Sequence, residues 1–294
     1  MSTMNNAGLV AAKGLSEEWL QQIIDLAEVC EAHDGFDLSI NLNLSMLQNR
    51  SPEQTNDFLY FQDGKLVGFL GMYAIVSPKE VEISGMVHPD YRGKGIFRAL
   101  YAQAKAECEK HGVMQILLVS NRQSKEASAF AEGVAATYQF SEYKLDYSTQ
   151  ASVTPVATDE RLLLRPATNA DFDTLVEIGV SGFGDSAELM TALVTRNLSE
   201  SSFQTYLALY EARPVGMITV SEEDAALFIS GFCVKKGLQG KGLGRKILSQ
   251  TVEILNQREH TGISLEVAVD NQNALSLYQS TGFEVVSVYD YYVG

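Results

Sequence analysis

The chain repeats itself once. Val67-Gly68, Ile83-Ser84-Gly85 and Gly93-Lys94-Gly95 return as Val215-Gly216, Ile229-Ser230-Gly231 and Gly240-Lys241-Gly242, offset by 148, 146 and 147 positions. A period near half of 294 residues is far above the ~20–50 residues of solenoid repeats. It constrains the chain to a duplicated domain, and at ~100–200 residues per domain two domains of ordinary size fit. The expected division is 1–150 and 151–294. The boundary is expected in the polar stretch 148–160, which carries Thr, Ser and Pro and no long apolar run.

Both halves share one order of elements. In the second, 161–167 reads as a short strand. Thr168 with Asp171 three positions on resembles a capping box, opening a helix over Phe172, Leu175, Val176 and Ile178. A second helical pattern covers 187–198, and β-rich runs follow at 203–211 and 215–221, with a turn between them. The strand 226–234 runs into KKGLQGKGLG. Leu243, Ile247, Leu248, Val252 and Leu255 then recur at helical spacing, predicting a helix that ends near Gly262. The strand 263–269, a short helix 274–280 and terminal strands over 283–293 complete an α/β pattern. At its centre is a strand–loop–helix–strand unit of the parallel-crossover kind.

The loop Gln239-Gly240-Lys241-Gly242-Leu243-Gly244 sits between a buried-looking strand and that helix. Glycine permits positive φ and close approach by a ligand, and a helix start offers unpaired N–H groups and the positive end of the dipole. Together these suit a phosphate or pyrophosphate; a plain glycine-rich turn has the same composition. No GxxxxGK[ST] string occurs. In GxGxxG the last glycine would have to stand one position later than Gly244, so neither a P-loop nor a dinucleotide fingerprint is met.

Gln239-x-x-Gly242-x-Gly244 resembles the acetyl-CoA signature Q/R-x-x-G-x-G/A of the GCN5-related N-acetyltransferases. Leu265-Glu266-Val267, Asn271, Ala274, Leu277-Tyr278 and Gly282-Phe283 follow that family's downstream pattern in order, and 163–171 resembles its first strand and helix. The resemblance covers about all of the second half and looks like a tandem member. It implies two domains, each a mixed, mostly antiparallel sheet with a central parallel strand–loop–helix–strand unit flanked by helices.

It also implies roles. Backbone groups of Phe232, Cys233 and Val234 would bind the pantetheine arm as an added strand and polarise the carbonyl. Backbone amides of Gln239, Gly240, Lys241, Gly242, Leu243, Gly244 and Arg245 would hold the pyrophosphate. Tyr278 falls at the general-acid position, where a phenol can lend a proton to the leaving thiolate; a core tyrosine on a short helix is the other reading. Glu266 is the candidate base or a solvated strand-end glutamate. Asn271 ties the strand end to the cofactor or caps a helix. Cys233, with no histidine nearby in sequence, reads as a small buried hydrophobe and not a ping-pong nucleophile.

In the first half, Val87 and Arg92-Gly93-Lys94-Gly95 offer a second CoA site, but Phe97 replaces the last glycine. Ala127, Phe130 and Ala131 follow the downstream spacing, with alanine where tyrosine belongs. That half is expected to be degenerate and catalytically silent, with the fused copies forming a pseudo-dimer. The expected reaction is direct acetyl transfer from acetyl-CoA to a primary amine of a small molecule or peptide in a ternary complex. The alternative is a CoA-binding or regulatory protein without turnover.

Composition narrows the partners. With 22 basic against 37 acidic residues the net charge is −15, the wrong sign for nucleic acid, and no apolar run is long enough for a membrane span. Three widely spaced cysteines (Cys30, Cys108, Cys233) with no CxxC fit a reducing cytoplasm. His33, His88, His111 and His260 show no metal-ligand spacing, so no metal is expected.

Overall fold

The computed structural model describes residues 8–38, 42–74, 79–151, 159–223 and 225–294. Most of the expected linker 148–160 lies outside them. The chain forms two compact units: Met1–Ser141 with Ser287–Gly294, and Glu142–Val286.

Unit 1 begins with β1 (Gly8–Lys13), α1 (Glu17–Asp34), α2 (Leu44–Gln48), β2 (Thr55–Gln62), β3 (Lys65–Tyr73) and β4 (Glu80–Val87). It continues with α3 (Ile96–Lys110), β5 (Gln115–Asn121), α4 (Lys125–Gly133) and the start of β6 (Thr137–Tyr147). Unit 2 contains the rest of β6, then β7 (Leu162–Pro166), α5 (Phe172–Phe183), α6 (Ala187–Ser199), β8 (Phe203–Tyr210) and β9 (Arg213–Glu223). β10 (Ala226–Val234), α7 (Leu243–Leu255), β11 (Gly262–Ala268), α8 (Gln272–Gln279) and the start of β12 (Phe283–Val293) complete it.

Within each unit β1-β2-β3-β4 and β7-β8-β9-β10 pair antiparallel in sequence order. The β4/β5 and β10/β11 pairs are parallel. The outermost partner comes from the other half of the sequence. β6 pairs with β11, Leu145 opposite Leu265, and β12 pairs with β5, Tyr291 opposite Val119. The units therefore divide inside two long strands and not at 150/151. Strand register assigns these residues.

Each sheet is covered on both faces, as its buried side chains require. In unit 1 the α3 face buries Leu100, Ala104 and Cys108 against Val81, Ile83, Ile116 and Leu118. The other face buries Ile23, Leu26 and Leu47 against Leu59, Phe61 and Phe69. In unit 2, Ile247, Leu248, Val252 and Leu255 form the stripe of α7 that packs on Ile229, Ile263 and Leu265. Leu175, Ile178 and Val194 of α5 and α6 cover Leu207, Met217 and Cys233 on the opposite face. Full burial of each large aliphatic contributes roughly 1.5–3 kcal/mol. The capping box holds: the Asp171 carboxylate accepts from the Thr168 backbone N–H (2.9 Å) and hydroxyl (3.0 Å).

Helix α7 ends at Leu255, short of Gly262, which instead opens β11. The apolar stripe ends there, and exposed Asn256–Gln257–Arg258–Glu259 has nothing to bury. Among the described residues no helix is long and apolar enough to cross a membrane, and no cluster of three or more His, Cys, Asp or Glu side chains is arranged to hold a metal ion.

Candidate active site

In unit 2, β10 and β11 pair only from Ala226–Ile229 against Gly262–Leu265, although β10 runs on to Val234 and β11 to Ala268. Beyond Ile229 the β11 side of β10 has no strand partner. On its other side the ladder to β9 is interrupted. Ser230 faces Thr219 and Cys233 faces Met217, so one extra residue bulges out of β10 around Gly231, whose φ is +52°. Unit 1 has no such bulge: β3 and β4 pair without a shift from Gly68–Val87 to Tyr73–Glu82. That extra residue is why the repeat offset rises from 146 at Gly85/Gly231 to 147 at Gly93/Gly240.

The glycine loop follows. Gly240 and Gly242 have φ of +73° and +78°, and a Cβ on either would meet nothing within 4 Å. Their space is open, and only the backbone conformation demands glycine. Gly242 is the N-cap of the 13-residue α7 and, being glycine, provides no side-chain cap to the start of the helix. Lys241 folds back to the Gly237 carbonyl (3.1 Å) and Arg245 donates to the Ser280 carbonyl (3.2 Å). Gln239 donates to the carbonyls of Val234 (2.9 Å) and Gly182 (3.4 Å), tying the loop to the strand end. An open cradle of backbone amides at a helix start, beside a strand edge without a partner, fits the pyrophosphate and pantetheine arm of acetyl-CoA.

Tyr278 lies on α8, buried on the α7 side of the sheet. Its ring centroid is 6.4 Å from Phe232 and 6.2 Å from Phe283, and burial pushes its phenol up to about 12. Glu266 is half-buried on β11, opposite Lys144 of β6. It alternates with the buried Leu265 and Val267, which face the α7 side with Tyr278, so it points to the other face. The structure therefore does not bring the two proposed catalytic side chains together. Asn271 caps α8, its Oδ1 accepting from the Ala274 N–H at 3.1 Å. Cys233 is buried, its thiol directed at the Ile178 carbonyl (3.7 Å) and pushed up to about 12 by burial; a thiol so protonated is a poor nucleophile.

Unit 1 repeats the frame with different chemistry. Arg92 Nε donates to the Val87 carbonyl (3.0 Å), as Gln239 does to Val234, but both its terminal nitrogens also bind Asp34 at 2.7 Å. Lys94 reaches the Asp90 carbonyl (2.9 Å) and Arg98 the Gly133 carbonyl (3.3 Å), matching Lys241 and Arg245. Gly93 and Gly95 again have positive φ and open space. A cavity of about 510 Å³ opens where β4 and β5 separate, lined by Met86, Val87, Gly93, Gly95, Val119 and Ala131 among others. Phe97 packs edge-on against Phe130 (4.8 Å), and Ala131 stands where unit 2 has Tyr278.

Sequence reasoning missed a second pocket in unit 2. It holds about 190 Å³ on the α5/α6 face and is lined by Asn197, Thr205, Thr219, Ser230 and Gly231 with apolar walls. A signal was present: the copies differ there, Thr205 and Thr219 standing 148 positions after Asp57 and Gly71.

The acetyltransferase (GNAT) family model matches residues 18–132 and again 175–283. The mycothiol acetyltransferase of Thermomonospora curvata is 25% identical over 293 residues, 95% of each chain. That of Rothia mucilaginosa is 24% identical over 98% of this chain and 93% of its own. Among solved structures, a GCN5-related N-acetyltransferase from Sphaerobacter thermophilus has a TM-score of 0.79 at 16% identity, covering 97% of this chain and 95% of that one. A tandem GNAT protein from the clavulanic acid biosynthesis pathway has a TM-score of 0.72 at 17% identity, covering 97% of each. The fold is shared with both. Since the two family matches together take in most of the sequence, one in each half, this chain belongs to the acetyltransferase (GNAT) family, as a tandem member.

Proposed function

We propose that unit 2 transfers an acetyl group from acetyl-CoA to the primary amine of a small molecule, by direct attack in a ternary complex. Acetyl-CoA supplies an acyl group already activated as a thioester. The residues of the chain bind and orient it. The amides of 239–245 and the start of α7 hold the phosphates, and the strand edge of Phe232, Cys233 and Val234 receives the extended arm. The bulge at Gly231 turns backbone N–H groups out of the ladder, where they can stabilise negative charge on a carbonyl oxygen. Tyr278 keeps its proton at neutral pH and can give it to a leaving thiolate. Glu266 points to the face opposite Tyr278 and can take the amine proton directly or through water.

The observation that carries this reading is the coincidence, in unit 2 alone, of the bulge, the complete glycine loop and Tyr278. The names of the mycothiol acetyltransferase relatives support a small-molecule acceptor over a peptide. Free CoA thiol, followed with a thiol reagent over a panel of amines, tests it. Amine-dependent thiol release is expected, and CoA binding with no release over the whole panel favours a protein that binds without turnover.

For unit 1 the second reading is the better one. Its cavity of about 510 Å³ beside Val87, Arg92, Gly93, Lys94 and Gly95 supports binding of CoA, while Ala131 has no proton to give and β4 has no bulge. We infer that unit 1 binds without catalysing.

A further inference from the structure

We infer that the pocket of about 190 Å³ beside Gly231 seats the substituent of the acceptor amine. We further infer that it selects a compact, uncharged group bearing a hydroxyl or amide over a group carrying a second cation. The inference rests on the proposed acetyl transfer in unit 2 and names its substrate class.

The floor of the pocket is a chain of neutral hydrogen-bonding groups. Asn197 Nδ2 donates to Thr219 Oγ1 (3.5 Å), and Thr219 Oγ1 lies 2.9 Å from Thr205 Oγ1. Both threonines are buried, at 1% and 4% exposure. A hydroxyl has one proton and two lone pairs, so beyond these two bonds the pair of hydroxyls keeps one proton and two lone pairs for a polar atom of a ligand. Leu175, Met190, Val194 and Met217 form the walls. Among the described lining residues there is no carboxylate, and the one charged group is Arg196, which bonds Asn197 and lies over the Phe203 ring. A second ammonium placed here would lose its hydration with no anion to replace it and would meet a like charge. In size the space is comparable to a ~150 Å³ cavity that holds benzene, so it admits a branched alkyl or small ring, not an extended polyamine.

The other copy shows what a closed version looks like. Thr205, Thr219 and Ser230 occupy three facing positions on β8, β9 and β10. The same positions on β2, β3 and β4 hold Asp57, Gly71 and Ser84. There Arg50 binds Asp57 at 2.9 Å, both side chains almost wholly buried, and its guanidinium lies 4.7 Å over the Tyr73 ring. The Tyr73 hydroxyl lies 2.6 Å from where a Gly71 Cβ would stand and donates to the Leu42 carbonyl. An ion pair and a tyrosine fill in unit 1 the space that unit 2 leaves open beside its bulge. The duplication kept the frame and left an acceptor pocket in one copy.

The test is calorimetry on the full chain saturated with CoA, titrated with 2-amino-3-methylbutan-1-ol and with spermidine. The amino alcohol should bind at least about tenfold tighter than spermidine. Thr219→Val, which removes one hydroxyl, should weaken it about tenfold. Rebuilding the unit 1 plug with Asn197→Arg and Thr205→Asp should abolish its binding while CoA still binds. If that pair fails to bind CoA, Leu193→Trp, at a lining position, takes its place. Tighter binding of spermidine, or amino-alcohol affinity unchanged by Thr219→Val and by the filled pocket, overturns the inference. Failure of the wild-type chain to bind CoA defeats the acetyl-transfer reading instead. CoA binding near two per chain with no binding of the amino alcohol defeats this inference alone, whereas a stoichiometry of one that Gly95→Asp abolishes defeats the acetyl-transfer reading.

Discussion

Gln239 donates from Nε2 to the carbonyl of Val234 at 2.9 Å, fastening the start of the glycine loop to the end of the strand proposed to receive the pantetheine arm. A single neutral hydrogen bond is worth about 0.5–1.5 kcal/mol, but here it joins the two parts of one binding surface. Gln239→Leu should raise KM for acetyl-CoA several-fold with a small loss of stability. Gln239→Arg should restore it, because Arg92 makes the equivalent bond to Val87 at 3.0 Å. Steady-state kinetics on both variants checks this. Equal KM in Gln239→Leu and wild type would remove the loop tether from the account.

Gly242 is the sharper site. Its φ of +78° disfavours any side chain by itself, so Gly242→Ala isolates the cost of backbone strain. Gly242→Asp adds a negative charge at the helix start where phosphate is proposed to sit. Calorimetry with CoA should show mild weakening for alanine and near-complete loss for aspartate, with circular dichroism unchanged. Similar affinities in the two variants would mean that no anion binds there.

What the sequence made legible was local. Positive φ at Gly240 and Gly242, the capping box at Thr168/Asp171 and the stripe on α7 each depend on residues within a few positions of one another. The exchange of β6 and β12 depends on the register of Leu145 with Leu265 and of Tyr291 with Val119, which no local pattern encodes. The same holds for the pocket floor, since Asn197, Thr205 and Thr219 become neighbours only when α6, β8 and β9 pack. The opposite facing of Glu266 and Tyr278 follows from strand alternation around Leu265 and Val267. It was readable in principle once the core face was known.

Tyr278 offers a pH test. Burial raises its phenol to about 12 from an ordinary value near ~10, so the folded chain holds this proton more tightly than the unfolded one. Its contribution to stability is complete below about pH 10 and is lost as pH rises toward 12. Tyr278→Phe should therefore flatten part of the alkaline fall in unfolding free energy, by an amount on the order of 2 kcal/mol. In activity the same variant should lower kcat by roughly 10²–10⁴-fold with little change in acetyl-CoA affinity. Wild-type kcat would return the ring to a packing role among Phe232 and Phe283.

The two units should divide the work. Both glycine loops have open space and a helix start, so CoA is expected to bind with a stoichiometry near two per chain. Gly95→Asp should reduce that to one without lowering turnover, whereas Gly242→Asp should also reduce it to one and abolish turnover. The chemistry explains the asymmetry: Ala131 cannot supply a proton, β4 has no bulge beside Gly85, and the space that serves as the acceptor pocket in unit 2 is filled in unit 1 by Arg50, Asp57 and Tyr73. Installing the missing phenol by Ala131→Tyr should not create activity in the Gly242→Asp background, because the bulge and the acceptor pocket would still be absent. Equilibrium titration with CoA and thiol-release assays on these variants decide the matter. Loss of turnover on Gly95→Asp in a stably folded chain, with turnover retained in Gly242→Asp, would assign the catalytic unit the other way round.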